Sequence, residues 1–203
     1  MKALLLKDFY LIKRSLKGIL LMVLMFLVLG WHDKNGQMLF AIIPVTTLSF
    51  ISLFSYDQMS HFENFAMTFP IKKTTYVLEK YFCGTFMAIG SSLITLFICL
   101  IKSTVGSLSL LFAVQGIALS FMCSIIIFSI SLPLFFKFTV ENARIYFIVA
   151  MLFFSFGGTF LVNQIGIPAI SFVTLLIALS ITALLLIFIS YFISFHFFSK
   201  KFN

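Results

Sequence analysis

Apolar residues fill this chain in long runs, and the polar ones gather into a few short stretches between them. An α-helix needs about 20 residues to cross hydrocarbon. On that measure the runs predict six transmembrane helices: Gly18 to Trp31, Met38 to Phe54, Tyr81 to Ile101, Ser107 to Leu132, Ile145 to Val162 and Ala169 to Phe195. The first is short, so flanking residues must lengthen it or the bilayer thins there. Pro44 should kink the second span. In the third, Gly84, Ala88 and Ser92 recur at every fourth place, a small-residue stripe that admits close helix approach within one subunit or between two. Pro133 is expected to open a loop that ends at Arg144, Gly157-Gly158 to loosen the fifth span, and Asn163 to Pro168 to form a turn.

Residues 1–17 follow another pattern. On a helical wheel Leu5, Phe9, Ile12 and Leu16 share one face, while Lys7, Tyr10, Arg14 and Lys17 share the opposite one. This predicts an N-terminal amphipathic interfacial helix in the headgroup plane, with Phe9 and Ile12 toward the acyl chains and Arg14 toward anionic lipid. A secretory signal peptide is the competing reading. The run that follows ends Val28-Leu29-Gly30-Trp31-His32, a poor small-x-small cleavage site. The chain thus divides into an elbow helix at 1–17 and a six-span domain at 18–203, all α-helical.

The longest polar stretch, Ser55 to Tyr81, separates the second and third spans. Ser55 followed by Gln58 has the form of a capping box, which predicts a helix start there, and Pro70 should end that helix. Met59, Phe62, Phe65 and Ala66 fall on one of its faces, and Asp57, Ser60, His61, Asn64 and Thr68 on the other. A solvated connector would carry the same charge. The two-faced wheel points instead to a helix that docks on something outside the bilayer.

With 62 % apolar and 10 % charged residues in 203, the chain lacks the polar surface of a soluble domain, and lipid must be the solvent for most of it. A net charge of +8 would suit nucleic acid, but its distribution suits a membrane surface. Twelve of the fourteen Lys and Arg residues lie in alternate segments: the N-terminus, the 55–80 loop, the stretch with Lys137 and Arg144, and the C-terminal tail. Only Lys34 and Lys102 lie in the remaining turns, so both termini and the loop are expected in the cytoplasm. Cys83, Cys99 and Cys123 sit inside apolar runs without a ligand-like spacing, which suggests small hydrophobes rather than metal ligands. There is no Gly-x-x-x-x-Gly-Lys-Ser/Thr loop for ATP and no catalytic motif. The six acidic residues lie in loops or near span ends, which argues against an ion-coupled carrier.

Tyr56-Asp57, the Phe-containing amphipathic turn, Phe69-Pro70-Ile71-Lys72-Lys73 and Val77-x-x-Lys80-Tyr81 resemble the cytosolic loop of ABC-2-type transporter permeases. More narrowly they resemble the short six-span permeases of Gram-positive bacteria that export phenol-soluble modulins. The resemblance implies a multi-pass protein of the bacterial plasma membrane that pairs with a second permease subunit. It implies a coupling helix seated on a separate ABC ATPase, with Asp57, His61 and Asn64 as polar contacts and Phe62 and Phe65 either anchored in an ATPase groove or packed against the span ends. Lys137, Glu141 and Arg144 would form a second cytosolic contact. ATP and Mg would bind the ATPase, and this chain would carry no cofactor and no active site. A mostly apolar interior suits export of a hydrophobic or amphipathic cargo, such as a peptide or lipid. The alternative is a non-transporting membrane protein that shields the cell from membrane-active peptides.

Overall fold

The computed structural model describes residues 2–33, 36–68, 72–105, 108–165 and 172–201. Among them the only regular structure is helix: α1 (Lys2–His32), α2 (Gln37–Phe40), α3 (Ile42–Leu48), α4 (Ile51–Met59), α5 (Phe62–Thr68), α6 (Lys73–Thr104), α7 (Leu110–Lys137), α8 (Val140–Ile165) and α9 (Phe172–Lys201). Four stretches of the described residues are long and apolar enough to cross a membrane: Gln37–Met59, Lys73–Thr104, Leu110–Lys137 and Phe172–Lys201. At 1.5 Å per residue α6 extends about 48 Å, beyond the ~30 Å of hydrocarbon, so its ends must stand in the headgroups or outside. The predicted stop at Pro70, the start at Ser107 and the end of the turn before Pro168 lie outside the described residues.

α1 runs unbroken through Gly18, with no helix break at the boundary expected after residue 17. No proline interrupts it, and a Cβ built at Gly18 would meet nothing within 4 Å, so no neighbour forces a bend there. The second predicted span is instead interrupted twice. Pro44 has no N–H to offer the Phe40 carbonyl and its ring crowds that turn, and the helix breaks at Ala41. The second break, at Ser49 and Phe50, is tightened by i→i−3 bonds from Phe50 N to Thr47 O and from Leu53 N to Phe50 O. Hydroxyls of Thr46, Thr47, Ser49 and Ser52 bond back to carbonyls of the preceding turn, which satisfies groups that lipid cannot and bends the chain.

Pro133 does not open a loop. It lies inside α7, which continues to Lys137. The carbonyl this proline leaves without an amide partner is that of Ser129, four residues back. The Ser190 hydroxyl of α9 donates to that carbonyl at 2.6 Å, and Tyr81 of α6 bonds the same hydroxyl. A hydrogen-bonded relay from α6 through α9 thus replaces the missing helical bond.

Two cores hold the bundle. At one end Phe54 stacks on Phe135 with ring centroids 5.4 Å apart, and Tyr76 on Phe198 at 4.9 Å. Leu4, Phe50, Phe128, Leu132 and Phe136 join them. At the other end Leu39, Ile42, Ile43, Cys99, Leu108 and Ile117 pack together. Lipid tails are as apolar as phenylalanine, so in a bilayer such clusters act through close packing rather than through escape from water. Gly84 shows how close: a Cβ there would stand 2.0 Å from the Phe128 ring. Gly84 and the buried Ala88 therefore serve packing inside the subunit, while Ser92 is half-buried beside α7. The start of α1, the α4–α5 turn, the α7–α8 connection and the end of α9 all meet at the first of these ends. At the opposite end Lys102 is buried and donates to the carbonyls of Gly30 and Asp33, where the α1 dipole is negative.

Candidate functional site

At the shared end of the bundle the chain leaves α4 at Met59 and folds back into α5 through Ser60 and His61. His61 has φ 50, a left-handed backbone that a β-carbon disfavours by about 1 kcal/mol or more. The predicted single helix from Ser55 is therefore two helices with a reversal between them. The Ser55–Gln58 capping box is corrected as well, since Ser55 lies in mid-helix and Gln58 points elsewhere. Its Oε1 accepts the Val140 amide at 2.8 Å, and its Nε2 donates to the Phe138 carbonyl at 3.4 Å. Gln58 thereby caps α8 and ties the α7–α8 connection to the end of α4.

Beneath this turn lies a cluster of charges that the sequence reading did not assemble. The Lys80 ammonium of α6, fully buried, stands 2.7 Å from Asp8 of α1 and 2.7 Å from Asp57 of α4. Lys7 stands 2.6 Å from Asp57 and 3.0 Å from Asp8, and the Tyr76 hydroxyl donates to Asp57 at 3.3 Å. Glu79 is buried beside them, with one carboxylate oxygen lacking a hydrogen-bond partner among the described residues. Burial pushes the Asp8 carboxyl up, but the charge of Lys80, the hydrogen bond with Glu79 and the charge of Lys7 together outweigh it, and the result lies below the usual carboxylate value. Carboxylates of Asp8 and Glu79 and the Cys83 sulfur lie within 4.8 Å of one another. The cation that serves this cluster is the Lys80 ammonium. Partners on α1, α4 and α6 make it a three-helix latch directly under α5.

The candidate contacts separate accordingly. Asp57, at 1 % exposure, is held as a buried ion-pair partner of Lys7 and Lys80 rather than as an open surface group. Phe62 is half-buried beneath Lys7, whose ammonium sits 3.7 Å from its ring centroid. Phe65 is 56 % exposed. His61 and Asn64 are exposed and line a cavity of about 370 Å³ together with Gln58, Lys137 and Thr139. Glu63 and Lys201 close it with an ion pair between α5 and the end of α9. Lys137 lies across the Phe138 and Phe197 rings, 5.0 Å from each centroid. Glu141 and Arg144 are exposed on the first turns of α8 but do not line the cavity.

On α1 the prediction of an outward basic face is corrected at Lys7, which turns inward to the latch. Arg14 is exposed and lies over Tyr56, 5.6 Å from its ring centroid. Phe9 and the half-buried Ile12 line an apolar groove against Phe82, Phe86 and Ile89 of α6.

The model of the ABC-2 family transporter proteins matches residues 3–199, nearly the whole chain. The chain belongs to the ABC-2 family of transporter proteins. Membership makes it the membrane component of an ABC transporter, working with an ATPase partner. No curated protein and no solved structure matches it. In this ABC-2 protein the polar residues of the loop thus divide between an internal latch and a small outward-facing element, α5.

Proposed function

We propose that this protein is the permease subunit of an ATP-driven exporter, that α5 is the element on which the ATPase sits, and that the latch carries its motion into the spans. The observation that carries this reading is the position of α5. It stands between two apolar stretches long enough to cross a membrane, exposes Phe65 and Asn64 with His61 just before it, and rests on a buried ion cluster joining α1, α4 and α6. An exposed aromatic next to a polar cavity is the composition of a protein-binding hot spot. The cluster beneath it resists deformation, because separating buried partners exposes uncompensated charge. Displacement of α5 is therefore passed to three helices together.

The plan has six spans, with residues 18–31 of α1 and the body of α8 joining the four apolar stretches. Both termini face the cytoplasm, following the distribution of Lys and Arg. Two permease subunits pair in the bacterial plasma membrane, and ATP and Mg bind the ATPase. The cargo is hydrophobic or amphipathic, in keeping with the apolar groove between α1 and α6. The test is affinity purification of the full chain from its own cells followed by hydrolysis measurements in nanodiscs. An ABC ATPase is expected in the complex, with activity that depends on the permease. A chain that protects cells from a membrane-active peptide with no ATPase attached would contradict the reading.

A further inference from the structure

The cavity beside α5 carries an imbalance of charge. Its wall holds two carboxylates, and both are answered from within the chain. Asp57 is paired with Lys7 and Lys80, and Glu63 with Lys201. Lys137 also lines it, and among the described residues no carboxylate lies within 4.0 Å of its ammonium, which rests on two phenyl faces instead. Around it are the His61 imidazole, the Asn64 carboxamide and the Thr139 hydroxyl, all exposed. The walls come from the α4–α5 turn, the α7–α8 connection and the end of α9, and Gln58 and the Glu63–Lys201 pair hold those pieces in register.

We infer that this cavity receives a carboxylate side chain, Asp or Glu, from an acidic surface of the ATPase partner, with Lys137 as its cation and His61, Asn64 and Thr139 as hydrogen-bonding groups. The inference rests on the permease reading and adds the chemistry of the partner. A carboxylate is the occupant that charge complementarity selects, because it answers a cavity-lining ammonium that has no carboxylate within 4.0 Å among the described residues. The surroundings agree: Lys72, Lys73, Arg144 and Lys200 belong to the segments that meet at this end, and they favour an acidic face opposite. A volume of about 370 Å³ is at the small end of the range for binding pockets, which suits a side chain rather than a whole peptide. Because its walls belong to α4, α5, the α7–α8 connection and α9, a seated side chain would grip all of them together.

The experiment uses the full chain with its copurifying ATPase. A carbodiimide activates a carboxylate so that an amine in contact displaces the activating group and forms an amide. Treatment of the complex should give a peptide in which Lys137 is joined to an Asp or Glu of the ATPase, read by mass spectrometry. Lys137→Arg should keep the ATPase bound and lose the link. Lys137→Glu should lower the recovered ATPase by about tenfold or more at low salt, with the permease still inserted and monodisperse. A bound ATPase that gives no link at Lys137, together with undiminished recovery by Lys137→Glu, would overturn the inference and leave the permease reading standing. Absence of any ATPase from the wild-type preparation would overturn both.

Discussion

At the scale of single residues, Lys80 decides whether the latch can exist. Three buried acidic residues, Asp8, Asp57 and Glu79, gather around the buried Lys80 ammonium, with the partly exposed Lys7 at the rim. Lys80→Met should cost about 3–5 kcal/mol, since it leaves Asp8 and Asp57 buried with only Lys7 between them. Glu79→Gln should be neutral or stabilising, because an amide of the same shape replaces a buried acid whose Oε2 has no hydrogen-bond partner among the described residues. Thermal unfolding in nanodiscs compares them, and equal losses would mean that the cluster is not organised around Lys80. Asp8 adds a dependence on pH. Its folded value lies below the ordinary 3.8, so its contribution is complete above that pH and is lost as the pH falls through the folded value. Little of this was legible in the sequence. Asp8 is the lone acid of a basic helix, and Glu79-Lys80 stands at the head of an apolar run, yet pairing across 72 residues depends on how α1 and α6 pack. Wheel positions alone sent Lys7 outward and Asp57 to the surface.

At the scale of elements, α5 and the proline in α7 make separate claims. Phe62 and Phe65 look alike on a helical wheel, but one lies under Lys7 and the other is exposed. Phe62→Ala should lower thermal stability. In α7, Ser190→Ala removes the donor that serves the Ser129 carbonyl, at a cost of about 1 kcal/mol. Restoring an amide with Pro133→Ala should recover most of that loss in the double variant. If the two changes simply add, the relay is not what compensates the proline. The sequence announced the need for such relief through Pro133 but not its supplier, because helices 61 residues apart provide carbonyl and hydroxyl. It marked the polar loop between two apolar runs but not which of Phe62 and Phe65 lies open. The two-residue reversal at Ser60 and His61 stayed hidden, since histidine at positive φ leaves no mark comparable to a glycine.

At the scale of the whole molecule, orientation in the bilayer and coupling to the ATPase decide what the protein can do. Cysteine in place of Asn35 should react with an impermeant thiol reagent from outside intact cells, and cysteine at Ser60 should not; labelling at Ser60 would invert the molecule. The apolar runs made an all-helical membrane protein legible from composition, whereas continuity of α1 through Gly18 and of α7 through Pro133 required the packed structure. Coupling is tested most directly by Phe65→Ala in the complex with the ATPase, measured as ATPase bound per permease and as permease-dependent hydrolysis. Truncating an aromatic that anchors an interface typically costs about 2 kcal/mol or more. Phe65→Ala should therefore lose roughly thirtyfold in ATPase affinity, or keep binding and lose dependence of hydrolysis on the permease. Thr74→Ala, in the first turn of α6, should change neither. Full binding and full coupling with Phe65→Ala would contradict the claim that α5 is where the ATPase sits.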